Sequence, residues 1–400
     1  MSKLLFVGAG WEQEELILEA KRLGHFVIAT HPQLNTQGLS HADVHFVKDS
    51  LDIASHLQIA KTYNVDGIVT DNCDFSLYTS AVVAKALGLK FNSIESAFLS
   101  NNKFEQREKC CSNGIVQPKY YRVRTFEELQ TAAENLGYPL IIKPVDSRGT
   151  FGVTIVNTAD DLSMGFYDAI CNSASHTVIC EHFVEGTLVT VDGFVFKNGH
   201  HALAVASRSF QEGVKPVTKE IIYPAKFDNK LNSRLMQNHE SVVRALGYSQ
   251  GHTHGEYIVT NDEEIYLVEC TNRGGGVYTS STIVPNITGI NLNELLINQS
   301  LDKDNYEIQG KGPQLMKNSV ILTFLDFQVG KVIKSINKEE VRDLDFVLKY
   351  RTIFSENDMI ESIDNCASRH SMLVLHGDNL EESIGNFEKF KSFLNVEYFK

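Results

Sequence analysis

Apolar residues fall along residues 1–100 in two alternating rhythms. Lys3 to Val7, Phe26 to Ala29 and Gly67 to Thr70 are short apolar runs, whereas Glu14 to Leu23 and Thr79 to Leu87, ahead of Gly88, repeat their apolar positions at helical spacing. Short runs separated by amphipathic stretches predict a parallel sheet with helices on its faces. From residue 101 to 310 the balance changes. Strand patterns at Leu140–Lys143, Thr177–Cys180, Thr190–Phe196, Glu256–Thr260 and Ile265–Thr271 outnumber helical ones near Phe126–Leu136, Leu231–Leu246 and Leu292–Gln299. That region reads as α+β on antiparallel sheet. Residues 311–400 add strand patterns at Ser319–Leu325 and Ser371–Leu375 and a helix at Asn379–Phe393, which predicts a small α+β unit.

Composition narrows the classes. A chain of 400 residues is too long for one core, since single cores stop growing near roughly 250–300 residues. Hydrophobic residues at 42% and charged residues at 22% are ordinary globular values, so the whole chain is expected to fold. A formal net charge of -13 repels polyanions and argues against nucleic acid as a partner. The opening MSKLLFVGAGWEQEE turns acidic too soon for a secretory signal, and apolar runs are too short to span a membrane, so a cytoplasmic location is expected. Seven scattered cysteines (Cys73, Cys110, Cys111, Cys171, Cys180, Cys270 and Cys366) form no CxxC pair and read as reduced thiols. The first turn, Gly8-Ala9-Gly10, has Gln13 where a dinucleotide fingerprint needs glycine, and the second strand ends in Ala29-Thr30-His31 without a ribose-binding acid. A tight strand-to-helix turn is the plainer reading.

Four segments carry chemistry. In HTHGEYIVTNDEEIYLVECTNR, a turn centred between Asp262 and Glu263 would set Glu256 opposite Glu269 and His254 opposite Thr271. Facing side chains of an antiparallel pair lie roughly 4.5–5.5 Å apart at Cβ, where like charges repel. Two facing carboxylates call for a cation, and a hard divalent ion such as Mg²⁺ accepts one or two carboxylates plus phosphate oxygens. A solvated pair is the simpler alternative, and His252, His254 and Glu256, alternating onto one face, also admit zinc. In IIKPVDSRGTFGV a strand delivers Lys143 into a loop with Ser147, Gly149, Thr150 and Gly152, a set suited to holding phosphate oxygens or to an ordinary hairpin. CEHFVEG ends a strand at a glycine-containing connection, where backbone near Val184 and the Glu181 side chain could meet an adenine edge. Arg273, ahead of Gly274-Gly275-Gly276, suits a planar oxyanion or a phosphoryl group, or is a surface arginine beside a flexible turn.

In this order the segments resemble the ATP-grasp superfamily over essentially the whole chain. The resemblance implies an amino-terminal pre-ATP-grasp domain (1–100), an ATP-grasp domain (101–310) with a flexible lid at about 118–187, and a carboxylase-like C-terminal domain (311–400). It makes Lys103 and Lys143 the two ATP lysines, Ser147 to Gly152 the loop over the phosphates, and Glu181 with Val184 the adenine hinge. It also makes Glu256 and Glu269 the ligands of Mg²⁺ (or Mn²⁺), and Lys143 and Arg273 the catalytic cations. The implied reaction joins a small-molecule carboxylate to an amine through an acyl phosphate, with ADP and phosphate released and amino acids or peptides as the favoured substrates. A bicarbonate-using carboxylase or carbamoyl-forming enzyme, and a nucleotide-binding protein without turnover, are the alternatives. The family's frequent Asn after the second glutamate is Thr271 here, and Thr187-Leu188 replaces the acid that often holds ribose, so no ribose ligand is named. Oligomeric state is open, homodimers being commonest.

Overall fold

The computed structural model describes residues 1–211, 217–303, 305–363 and 368–399; Cys366 lies outside them. Strands β1 (Lys3–Val7), β2 (Phe26–His31), β3 (Val44–Val47) and β4 (Gly67–Val69) form a wholly parallel sheet in the order β3-β2-β1-β4. The expected first two strands and the helix Glu14–Arg22 are present. β3 escaped notice because its side chains alternate between half-buried and exposed and leave no apolar run. Gln13 closes the first turn: its amide oxygen accepts from Gly10 N–H at 2.8 Å and its amide nitrogen donates to the Asp71 carbonyl at 3.0 Å. That turn is thereby fastened to the loop after β4.

A second sheet, order β5-β8-β6-β7, is antiparallel: β5 (Tyr120–Val123), β6 (Leu140–Pro144), β7 (Thr154–Val156) and β8 (Val178–His182). Two helices cover it. Phe126–Leu136 starts at a capping box in which Thr125 and Glu128 satisfy each other's backbone N–H groups, and Leu162–Cys171 packs alongside. Leu129, Leu140, Ile142, Phe166 and Val178 give this unit a core of its own.

The third sheet has eight strands in the order β13-β12-β9-β10-β11-β14-β17-β16. They are β9 (Thr187–Phe196), β10 (Gly199–Phe210), β11 (Thr218–Tyr223), β12 (Gly251–Val259), β13 (Ile265–Thr271), β14 (Ser319–Thr323), β16 (Val347–Thr352) and β17 (Ser371–Gly377), while β15 (Ile333–Ile336) pairs with β18 (Val396–Tyr398). Through β11 and β14, which align Ile221 with Leu322, the sheet runs without a break past residue 310. The strands at 319 and 371 therefore extend the central sheet rather than building a separate one. One core joins this sheet to the first, with Leu4, Phe6 and Ile17 in the same cluster as Phe194, Leu322 and Val374. Among the described residues no helix is long and apolar enough to cross a membrane.

The β12–β13 hairpin pairs Glu256 with Glu269 and His254 with Thr271, as the sequence pattern predicts, but by another route. Its loop is one residue shorter than expected. Glu263 N–H donates to the Thr260 carbonyl, Thr260 N–H donates to the Glu264 carbonyl, and Glu263 takes φ +58. A tight turn followed by a left-handed residue is a common three-residue hairpin loop. The ladder accordingly sets Ile258 against Tyr266 and Tyr257 against Leu267, until an irregularity between Glu256 and Tyr257 absorbs Val268 as an extra residue and restores the two glutamates to one register position.

Candidate active site

The two antiparallel sheets enclose a cavity of about 440 Å³. One part of its wall is apolar, with Ile141, Ile155, Leu188, Ile258, Tyr266 and Val268, and suits a flat ring. The remainder is charged. Lys103, Lys143, Ser147, Gly149, Thr150, Glu181, Val184, Glu256 and Glu269 all reach it, so nine of the expected positions converge from segments far apart in the chain.

Local structure explains the convergence. Lys103 opens the helix Lys103–Ser112, whose cap Asn102 accepts from Glu105 N–H at 3.1 Å, and its own N–H donates to the Val145 carbonyl at 2.8 Å. The helix start is thus tied to the end of β6, which carries Lys143. Lys103 Nζ sits 2.8 Å from Glu269 Oε2 and 2.8 Å from the Ser147 carbonyl, linking metal-ligand candidate to loop. Burial works against its charge, but Glu269, together with Asp74 and Glu256, more than offsets this and raises its pKa. In the loop, Gly149 and Thr150 both adopt positive φ, at +60 and +68, which turns the chain sharply over the cavity.

Three of the expected residues are engaged within the protein itself. The Glu181 carboxylate, expected to meet adenine, has both oxygens on cations, Arg107 Nε at 2.7 Å and Lys143 Nζ at 2.7 Å. Although burial favours its neutral form, Arg107 and Lys143 hold its pKa down at about 2, so it is an anchor for Lys143. Burial pushes the Lys143 pKa down, with Glu181 opposing. Gly152 does not reach the cavity: a Cβ there would lie 2.9 Å from Pro144 and from Asn172, so the glycine allows close packing at the loop's base. Arg273 also lies outside the cavity wall, gripped by Asp74 through Nε at 2.7 Å and Nη2 at 3.1 Å, and donates to the Gly274 carbonyl. Burial opposes its charge, yet Asp74 raises its pKa further. It stands where the loop after β4 meets the glycine run, beside Asp71, which accepts from Gly274 N–H at 2.6 Å and from the Ser280 hydroxyl at 2.7 Å.

Glu256 and Glu269 face each other and line one cavity, and among the described residues no group of three His, Cys, Asp or Glu side chains gathers to hold a metal. Two carboxylates without a third fit Mg²⁺, which completes its shell with phosphate and water oxygens, and do not fit a closed zinc site. His252 and His254 are engaged elsewhere. His252 stacks edge-on against Phe194, and His254 Nδ1 lies 2.7 Å from Asp192 Oδ1, with Nε2 3.8 Å from Glu256. Asp192 also accepts from the Tyr223 hydroxyl at 2.6 Å. Thr271 donates weakly to the His254 carbonyl at 3.4 Å, while the neighbouring Asn272 donates to the Gln250 and His252 carbonyls and serves the scaffold.

Sequence reasoning missed Arg107, Arg208, Asp74 and Asp192. Arg208, on β10, lines the cavity and places Nη2 2.8 Å from Glu256 Oε1. Arg107 is one helical turn past Lys103 and is fully buried, its Nη2 donating to the Val268 carbonyl at 2.8 Å. Helical spacing from Lys103 was the only hint of it.

Comparison with known proteins agrees with this geometry. A family model described as an ATP-grasp domain matches residues 136–281. The formate-dependent phosphoribosylglycinamide formyltransferase of Erythrobacter litoralis is 30% identical over 208 residues, covering 49% of this chain and 53% of that protein. The alanine–anticapsin ligase of Bacillus subtilis is 23% identical over 268 residues, covering 60% and 55%. The chain thus spans about half the length of these relatives. The crystal structure of an L-amino acid ligase from Bacillus licheniformis superposes with a TM-score of 0.83 at 20% identity, over 100% of this chain and 99% of that one, a likeness of fold. The paired sheets and the cavity between them thus agree with the ATP-grasp domain matched over residues 136–281.

Proposed function

We propose that the protein is an ATP-dependent, ADP-forming ligase that joins a small-molecule carboxylate to an amine, with amino acids or peptides as the favoured substrates. The observation that carries this reading is the register pairing of Glu256 with Glu269 inside a cavity that also holds both lysines. Relatives named for joining alanine to anticapsin and for linking L-amino acids support the amide-forming direction.

When bound, the metal nucleotide supplies the γ-phosphoryl group that turns the carboxylate into an acyl phosphate, which the amine opens to an amide. The chain's own residues position and shield. Glu256 and Glu269 would hold the divalent ion, Mg²⁺ or Mn²⁺. Lys103 and Lys143 neutralise phosphate oxygens, and Glu181 keeps Lys143 in place. Ser147, Gly149 and Thr150 cover the phosphates and exclude water, with Gly152 setting the loop's base. The apolar wall with the backbone at Val184 takes the base. Arg273, steadied by Asp74, faces the anionic carboxylate or its activated form from the side of the first domain. Residues 1–100, 101–310 and 311–400 each contribute, the third by extending the sheet of the second, with the lid at about 118–187.

A phosphate-release screen over amino acids, singly and in pairs, with bicarbonate as a separate arm, tests the reading. Release that requires a carboxylate and an amine supports it, and release with bicarbonate alone replaces it with a carboxylase. Nucleotide binding without release for any carboxylate leaves a binding protein. Glu269→Gln is expected to lower turnover at least about a hundredfold while the circular dichroism spectrum stays unchanged; wild-type rates would remove the metal assignment.

A further inference from the structure

Both carboxylates proposed to hold the metal are already engaged within the protein. Glu269 is paired with Lys103 at 2.8 Å and Glu256 with Arg208 at 2.8 Å, and all four side chains line the same cavity. The Arg208 fork is incompletely used: its Nε is buried with no hydrogen-bond partner among the described residues. A buried, charged N–H left unmatched is costly, and in a cavity wall it calls for an explanation. No motif in the sequence pointed to Arg208.

We propose that Arg208 is a partner-exchange residue: it holds Glu256 in the nucleotide-free protein, yields that carboxylate to the divalent ion as the metal nucleotide enters, and turns its guanidinium to the phosphate oxygens. Lys103 makes the parallel exchange with Glu269. The inference rests on the nucleotide reading above. Two carboxylates at one register position repel unless each has a cation, and before the ion arrives Arg208 and Lys103 supply that charge. Afterwards the polyphosphate offers the planar, bidentate acceptor that a guanidinium matches best. Every charge keeps a partner throughout, which avoids the large penalty of a buried lone ion. His254, anchored by Asp192 and 3.8 Å from Glu256, stays beside that carboxylate when Arg208 leaves. The ion alone must compete with Arg208 for Glu256, and the nucleotide alone must compete with Glu256 for Arg208. Each ligand therefore removes the other's competitor, and the two bind with reciprocal positive coupling.

The test is calorimetric titration of the full chain with Mn²⁺ alone, and with ATP in the presence and absence of Mn²⁺. Arg208→Gln is expected to raise the Mn²⁺ affinity of the nucleotide-free protein by about tenfold and to weaken ATP binding in the presence of Mn²⁺ by a similar factor, so that most of the coupling disappears. Arg208→Lys should retain a substantial part of it. In the converse variant, Glu256→Gln, metal-free ATP should bind more tightly than to the wild type, because Arg208 is released. This variant also carries the test if Arg208→Gln does not fold. Unchanged Mn²⁺ affinity and unchanged coupling in Arg208→Gln, or no gain in metal-free ATP binding in Glu256→Gln, overturns the exchange while leaving the ligase reading intact. A wild-type protein that binds no ATP with or without Mn²⁺ overturns both.

Discussion

Charged side chains at the site are legible one at a time in the sequence, but their partners are not. Lys143 announces itself by standing at the end of an apolar run before a glycine loop, and Glu256 and Glu269 by alternation along a hairpin. That Glu181 belongs to Lys143 and Arg107 depends on packing a helix from one segment against strands from two others, which no local pattern encodes. For the same reason Arg273 reads as a free cation until the loop after β4 brings Asp74 to it. Arg107 is the residue whose loss should be felt most. It is fully buried, grips Glu181 and donates to Val268. Arg107→Met removes one of the two cations on a buried carboxylate, and breaking such a pair costs about 3–5 kcal/mol. Urea unfolding of the variant should show a loss of this size; a loss below about 1 kcal/mol would contradict the anchoring role.

Among the elements, the β12–β13 hairpin shows how a correct pairing can arise from compensating irregularities. A shorter loop shifts the ladder by one position and the extra residue Val268 shifts it back, so the glutamates meet although the intervening pairs do not follow simple alternation. Neither irregularity has a signature in the sequence, because Val268 looks like any strand residue. Deleting Val268 should remove the bulge and leave a regular ladder in which Glu269 still stands opposite Glu256. The deletion variant is expected to keep Mn²⁺-dependent ATP binding by calorimetry, and loss of that binding would show that the bulge itself, rather than the register alone, shapes the site. The helix Asn229–Leu246 gives a second case. Its His239 is buried against β12, with Nδ1 2.8 Å from the Tyr257 hydroxyl and Nε2 2.9 Å from the Thr253 hydroxyl. Burial, with the charge of His254, pulls its pKa down to about 3. Between that value and the ordinary histidine pKa, the unfolded chain takes up a proton that the folded chain refuses. Stability conferred by the neutral ring is therefore present above about pH 6.5 and falls on acidification by about 1.4 kcal/mol per pH unit. Urea unfolding at pH 7, 6 and 5 should show a shallower pH dependence in His239→Gln by that amount, and parallel curves would exclude the residue as the source.

At the level of the whole molecule, alternating apolar runs and helical stretches were enough to indicate a parallel sheet followed by an antiparallel region. They did not show that β14, β16 and β17 continue the central sheet, since strand neighbours distant in sequence leave no local trace. β10, with the longest single span at Gly199–Phe210, was missed because His200, His201, Ser207, Arg208 and Ser209 break up its apolar alternation. Continuity of the sheet carries an expectation. A chain cut after residue 310 would uncover the β11 edge and remove Ile321, Tyr350 and Leu373 from the core beneath it, so it should aggregate on size-exclusion chromatography. A monodisperse, folded 1–310 fragment would contradict this. The unbroken sheet also has a mechanical meaning. From β13 to β16 the molecule carries one stiff platform, so any opening wide enough to admit a nucleotide falls to the smaller sheet swinging on its two connections. One of these passes through Gly186, where a methyl group would stand 2.4 Å from the Val259 carbonyl. At that point two stretches of backbone touch almost bare, and any side chain at position 186 would force them apart.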